Sequence, residues 1–327
     1  ARLGLSRLWY KDERGRFGLK SFKALGGAYA VRRVLARQGR PAREVTVTCA
    51  TDGNHGRSVA WGAQLFGCQC VIFIHETVSE VRADAIRRYG ADVRRVKGNY
   101  DDAVRHAAGE AGRNGWHVVS DTSYEGYRDV PVDVMHGYGV MAHEILRQLP
   151  PGEIPTHVLV QAGVGALAAS ICAAFWIRLG ERRPRCVIVE PVKADCLLRS
   201  IEAGRPVAVH GDIDTVMAGL ACGEVSELAW EILREGAGAL VAIGDAWAVE
   251  AVKALAQPQG SDATVVAGET GGAGLAALLA MHGRPELERA LGLGGDSRVL
   301  LLGSEGDTDP EIYRSIVGRS AEEVLAS

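Results

Sequence analysis

Little in this sequence points to a highly charged or membrane-embedded partner. The 327 residues carry a formal net charge of −3, so no surplus of Lys and Arg exists to build the basic stripe that tracks a phosphate backbone. Nucleic-acid binding is excluded on that ground, and small-molecule chemistry becomes the expectation. Long hydrophobic runs are also scarce. The longest, residues 158–177, contains Gln161 and the turn-forming pair Gly163 and Gly165, and it reads as strand, turn and helix rather than a membrane span. The chain opens on Ala1 without the charged start, apolar middle and small-residue cleavage pattern of a secretory signal, so a cytoplasmic protein is expected.

Metal-binding patterns are missing too. Cys49, Cys68, Cys70, Cys172, Cys186, Cys196 and Cys222 show no Cys-x-x-Cys spacing, which argues against a zinc ribbon. They are expected to be buried small hydrophobes or free thiols, with a Cys196–Cys222 pair left open because its geometry cannot be read from sequence. The histidines at positions 75, 106, 117, 136, 143, 157, 210 and 282 lack metal-ligand spacing, so no metal site is expected. No internal repeat or low-complexity segment is present, and residues 112–115 and 150–155 read as ordinary loops.

What is present is a balance of 47% hydrophobic and 24% charged residues, enough for a soluble protein with at least one large core and best divided into two domains. From Glu44 onward, short β-branched runs alternate with Ala-rich segments of helical period. That alternation predicts an α/β fold of parallel sheets covered by helices. Strands are predicted at residues 45–49, 70–74, 92–96, 117–119, 158–161, 186–190, 264–267 and 298–302. Several run into glycine turns before a helix: residues 51–56, 163–165, 268–272 and 303–306. In open parallel sheets such strand ends line the ligand crevice, so the four turns are expected to serve one site.

Two segments carry chemistry. In Leu19-Lys20-Ser21-Phe22-Lys23-Ala24-Leu25-Gly26-Gly27-Ala28, Lys23 stands among apolar and small neighbours at a predicted helix start. Desolvation there disfavours the charged amine and suits Lys23 to imine formation, whereas a solvated surface lysine is the plain alternative. The second segment, Cys49-Ala50-Thr51-Asp52-Gly53-Asn54-His55-Gly56-Arg57, gathers backbone donors, an amide and a carboxylate in one strand-to-helix turn. Exposed amides at a helix start bind anions, here an amino-acid carboxylate, and Thr51, Asp52, Gly53 and His55 are its expected contacts. Helix capping by Asp or Asn is the plain alternative. His55 is expected to donate or cap within this loop, and Arg57 to be a helix-surface charge.

Ser-Phe-Lys followed by Asp-Gly-Asn-His-Gly resembles the fold-type II pyridoxal-phosphate family, which includes the serine and threonine dehydratases. The resemblance extends over nearly the whole chain. It is strongest toward ammonia-lyases acting on diaminopropionate, through residues 50–57, Asp121-Thr122-Ser123-Tyr124-Glu125-Gly126-Tyr127, Met217-Ala218-Gly219-Leu220-Ala221-Cys222-Gly223-Glu224 and Glu305-Gly306-Asp307-Thr308-Asp309. It implies two open parallel-sheet domains with helices on both faces. Residues 15–135 would form the small one with the substrate-carboxylate loop, and residues 1–14 with 136–327 the large one with the phosphate loop. It further implies pyridoxal 5'-phosphate held by Lys23, with Asn54 on its phenolic oxygen and a phosphate cradle at Gly163, Val164, Gly165, Ala166 and Leu167. Ser304 falls where relatives place a neutral partner for the pyridine nitrogen, with Thr270 the second candidate.

Asp52 departs from the dehydratases, which usually carry a small residue there. A carboxylate suits a substrate with a second amine on its β-carbon. The family likeness gives Asp121 an acid-base role, with Tyr124 nearby as a substrate contact. If Asp52 and Asp121 flank the α-carbon, each could serve one enantiomer. The expected reaction is therefore elimination of ammonia from 2,3-diaminopropionate, in D- and L-forms, by a homodimer. A serine or threonine dehydratase is the nearer alternative, and a non-catalytic binding protein of the same fold the more distant one.

Overall fold

A computed structural model describes residues 3–98, 100–260 and 262–326. Along the chain the elements are β1 Arg7–Asp12, α1 Lys23–Gln38, β2 Thr46–Ala50, α2 Asn54–Phe66, β3 Gln69–His75, α3 Glu80–Arg87, β4 Asp92–Val96, α4 Tyr100–Asn114, β5 His117–Val118 and α5 Asp129–Gln148. There follow β6 His157–Gln161, α6 Ala166–Leu179, β7 Arg185–Pro191, α7 Cys196–Ala203, α8 Glu227–Gly236, β8 Ala239–Ile243, α9 Asp245–Ala256, α10 Ala273–Met281, α11 Pro285–Leu291, β9 Arg298–Gly303, α12 Pro310–Val317 and α13 Ala321–Leu325. They divide into two compact units, residues 16–138 and residues 1–15 with 139–327.

The smaller unit is built on a parallel sheet of order β4-β3-β2-β5. Its centre is β3, whose Cys-Val-Ile-Phe-Ile run is buried throughout, as expected of a parallel strand covered on both faces. Small residues let α1 and α2 approach closely. A Cβ on Gly27 would overlap the Ser58 side chain, and one on Gly62 would lie 2.7 Å from the Ala28 backbone.

The larger unit carries a parallel sheet of order β1-β9-β6-β7-β8. Val158, Leu159, Val160, Val187, Ile188 and Val189 have no measurable exposure. Burying each such side chain contributes about 1.5–3 kcal/mol, so these two strands anchor the unit. Gln161 closes β6 at 1% exposure.

Most predicted strands appear within a residue or two of their expected bounds, and residues 158–177 divide as strand, turn and helix. One prediction is overturned: residues 264–267 form no strand. Of their β-branched side chains only Val266 is fully buried. Val265 bonds to the Leu255 carbonyl, and Val266 packs with Val252, Ala256, Tyr313 and Val317. Two edge strands were not foreseen. β1 is charged and partly exposed, and β8 is a short Ala-containing run, so neither shows the pattern of a buried strand. Among the described residues, no helix is long and apolar enough to cross a membrane.

Candidate active site

Lys23 opens α1 in the smaller unit. Behind it Gly26 faces the ring of Tyr138 and Val134, while Gly137 lies against the Leu25 carbonyl, with no room for a Cβ at either glycine. Those close approaches fix the first turn of the helix. The Lys23 Nζ lies 5.5 Å from the Phe22 ring centroid and 5.8 Å from that of Tyr138, and it is paired with the Asp121 carboxylate. The setting is thus aromatic on two sides and acidic on a third, where the sequence suggested an apolar one.

Asp121 is delivered by the chain leaving β5. Val119 N–H donates to the Thr48 carbonyl at 2.8 Å, extending the pairing with β2 past the strand's end. The Tyr127 hydroxyl donates to the Val118 carbonyl at 2.9 Å and accepts from the Ser120 N–H at 3.0 Å, which clamps the turn. The Tyr138 hydroxyl donates to Asp121 Oδ2 at 3.4 Å. Burial pushes the Asp121 carboxyl up. The charge of Lys23 and its hydrogen bond outweigh it and hold the group well below the usual carboxylate range. Tyr138 is shifted the other way, mainly by burial, so its hydroxyl stays protonated.

The turn between β2 and α2 is organised from within. Thr51 Oγ1 accepts from the N–H groups of Gly53 and Gly56, both at 3.0 Å, so those two amides are already satisfied. Gly53 has φ 152°, a conformation that other residues reach only with strain. His55 Nε2 donates to the Val119 carbonyl at 2.7 Å. Burial lowers its pKa, against the pull of Asp121, so His55 is a neutral brace rather than a base. Arg57 binds Asn54 Oδ1 at 2.9 Å and also the Leu19 carbonyl. It is therefore a tie between the two chemical segments, not the surface charge expected, and it sets the Asn54 NH2 as the donor end. Asp52 Oδ1 accepts from His75 Nε2 at 2.8 Å. Tyr124 is 48% exposed and stacks on Tyr127.

In the larger unit, three of the four predicted turns meet. Gln161 Nε2 lies 2.9 Å from the Thr270 carbonyl, 2.8 Å from the Leu302 carbonyl and 2.6 Å from Ser304 Oγ, and its two hydrogens serve this cluster of acceptors. Gly163, Val164 and Gly165 follow at once. A Cβ on Gly163 would lie 2.9 Å from Cys222 Sγ, and one on Gly165, at φ 95°, 2.9 Å from the Ala229 methyl. Ala166 and Leu167 begin α6, whose first N–H groups have no partner within the helix and carry its positive end. Thr270 Oγ1 is buried without a hydrogen-bond partner. No disulfide joins Cys196 and Cys222.

Residues 1–305 match the family model of pyridoxal-phosphate dependent enzymes. The chain belongs to this family. A diaminopropionate ammonia-lyase of Escherichia coli is 41% identical over 332 residues, covering 96% of this chain and 83% of its own length. The solved E. coli enzyme in complex with an aminoacrylate-PLP azomethine reaction intermediate superposes with a TM-score of 0.90 at 41% identity, over 96% of this chain and 84% of that one. The same enzyme with D-serine gives 0.91 at 39% identity, over 98% of this chain and 85% of that one.

This member of the pyridoxal-phosphate dependent family takes pyridoxal 5'-phosphate as cofactor, and its residues fit the group. The glycine cradle at the start of α6 suits a phosphate, and the orphaned Thr270 hydroxyl is a buried polar atom of the kind that a ligand satisfies. Three contributors escaped sequence reasoning: Tyr138, Gln161 and His75. Gln161 alone left a trace, as a lone amide in an otherwise apolar strand.

Proposed function

We propose that this enzyme eliminates ammonia from 2,3-diaminopropionate, leaving 2-aminoacrylate, which water hydrolyses to pyruvate and a second ammonia. The observation that carries this reading is the pairing of the Lys23 amine with the buried Asp121 carboxylate. Such a pair sets the lysine beside a carboxylate that can take the proton its amine must lose to become a nucleophile. Lys23 would bind the cofactor aldehyde, with the Asn54 NH2 on its phenolic oxygen. The backbone of Gly163, Val164, Gly165, Ala166 and Leu167 would hold the phosphate, with Ser304, or Thr270 in its place, as a neutral partner of the pyridine nitrogen. The bound cofactor supplies the sink for negative charge left at the α-carbon.

The chain's own groups handle the protons. A carboxylate oxygen of Asp121 or Asp52, or the released Lys23 Nζ, takes the α-proton. Asp52 also matches the second amine of diaminopropionate, which a hydroxy-amino acid lacks. Thr51, Gly53, His55 and Tyr124 would orient the substrate, the first two from the turn that precedes α2 and His55 from the first turn of that helix. Neutral His55 keeps that turn braced against Val119 without competing for the proton.

We further propose a homodimer working in the cytoplasm, supported by the family resemblance, and sedimentation of the loaded protein tests the dimer. The activity is tested by incubating the loaded enzyme with D- and L-diaminopropionate and with serine, and following pyruvate. Turnover of diaminopropionate is expected to exceed that of serine. Faster serine turnover would instead identify a dehydratase.

A further inference from the structure

The Asp52 carboxylate has a built support that sequence reading did not anticipate. β2 and β3 run parallel with Ala50 opposite Phe73, and Thr51 N–H still bonds to the Phe73 carbonyl at 3.0 Å past the end of β2. Carrying that register on by two residues sets Asp52 opposite His75. The side chains meet there, His75 Nε2 lying 2.8 Å from Asp52 Oδ1, with side-chain exposures of 17% and 28%. On the far side of the ring, Nδ1 lies 2.9 Å from Thr77 Oγ1.

The loop carrying His75 is itself held. Arg95 on β4 donates to the carbonyls of Glu76 at 3.1 Å and Val78 at 2.8 Å and pairs with Glu80. The Gly98 N–H donates to the Glu76 carboxylate at 3.1 Å. Arg82 on α3 packs beside Gly53, so the charged groups around the pair are Arg82, Arg95, Glu76 and Glu80.

Chemistry fixes the proton. An ionised carboxylate only accepts, so the ring must carry its hydrogen on Nε2 and give it to Asp52 Oδ1. The Thr77 hydroxyl can donate to a bare Nδ1 or accept from a protonated one, so it holds the ring in either state. We propose that His75 is a positioning residue for the reaction. It occupies one oxygen of Asp52 and presents the other to the substrate. This rests on the reading of Asp52 as the base, or ammonium contact, for one enantiomer. It parallels the outer groups that orient ligands and catalytic side chains elsewhere.

The test uses the loaded enzyme with both enantiomers of diaminopropionate and the variants Asp52→Asn, His75→Leu and His75→Gln, with long-range proton–nitrogen spectra of the histidine rings. For the enantiomer that Asp52→Asn impairs, His75→Leu is expected to lower kcat by about 10–100-fold. Its KM should change less than about threefold, and the other enantiomer should be spared. His75→Gln, which keeps a donor, should recover most of that loss. Adding His75→Leu to Asp52→Asn should cost nothing further. The spectra should show His75 protonated at Nε2, with a resonance that moves in Asp52→Asn. Equal slowing of both enantiomers by His75→Leu, no slowing at all, or a His75 signal indifferent to Asp52→Asn overturns the positioning role. If Asp52→Asn itself spares both enantiomers, the reading of Asp52 fails and takes this proposal with it.

Discussion

Lys23 and Asp121 show how a pair of residues divides the work of tuning. Burial alone would raise the Asp121 carboxyl, and the adjoining ammonium more than reverses that effect, so the carboxylate is ionised. Asp52 sits apart on its own turn with His75 as its partner. Separate surroundings for two carboxylates are what two distinct acid-base tasks require. Asp121→Asn and Asp52→Asn are therefore each expected to cut kcat/KM for one enantiomer of diaminopropionate by about 10²–10⁴-fold and the other far less. Steady-state kinetics with both enantiomers check this, and equal loss on both by each variant rules out the division. At this scale the sequence revealed identity but not environment. Lys23 and Asp52 stand out by their neighbours along the chain. The Tyr138 ring and the Gln161 amide act across 115 and 143 residues of sequence, on Lys23 and Ser304 respectively, and only Gln161 stands out locally, as a lone amide in an apolar strand.

At the scale of elements, parallel strands place the site and glycines permit it. β-branched runs made β2, β3, β6 and β7 legible, and a Val-Leu-Leu-Leu run β9, because buried parallel strands need little else. The segment at residues 264–267 misled for the same reason: it is β-branched like a strand yet bonds to the Leu255 carbonyl instead of a ladder. The proposed phosphate cradle depends on absent side chains. Gly165→Ala forces a Cβ against Ala229 at a positive φ, at a cost of about 1–3 kcal/mol. Cofactor affinity is expected to fall by roughly tenfold or more, since about 1.4 kcal/mol is a factor of ten. Equilibrium dialysis checks it, and unchanged affinity would remove the loop from the phosphate site.

β7 ends in a second testable feature. Glu190 accepts from the Leu197 and Leu198 N–H groups at the start of α7, at 2.9 and 2.8 Å. Burial nevertheless pushes its carboxyl up to about 7. A raised folded-state value means the stabilising contribution is complete below the unfolded value of about 4.3 and is lost as pH rises through the folded one. The native protein should lose stability between pH 5 and 8, by on the order of 3 kcal/mol from this group. Glu190→Gln should flatten that slope in urea titrations, and an unchanged slope would show that another group sets it.

For the whole molecule, the alternation of strand and helix announced the α/β class, and family motifs spread from Lys23 to Asp309 announced the chemistry. Composition did neither: a net charge of −3 selects no substrate. Substrate choice rests instead on Asp52, one carboxylate where a hydroxy-amino acid needs none. Everything downstream depends on the amine that carries the cofactor. The most direct measurement is borohydride reduction of the loaded protein, digestion, and mass mapping of the lysines. The pyridoxyl label is expected on Lys23 alone, with Lys23→Ala giving an unlabelled, inactive protein. A label at Lys20, Lys11 or any other lysine, or none on protein saturated with pyridoxal 5'-phosphate, would contradict it.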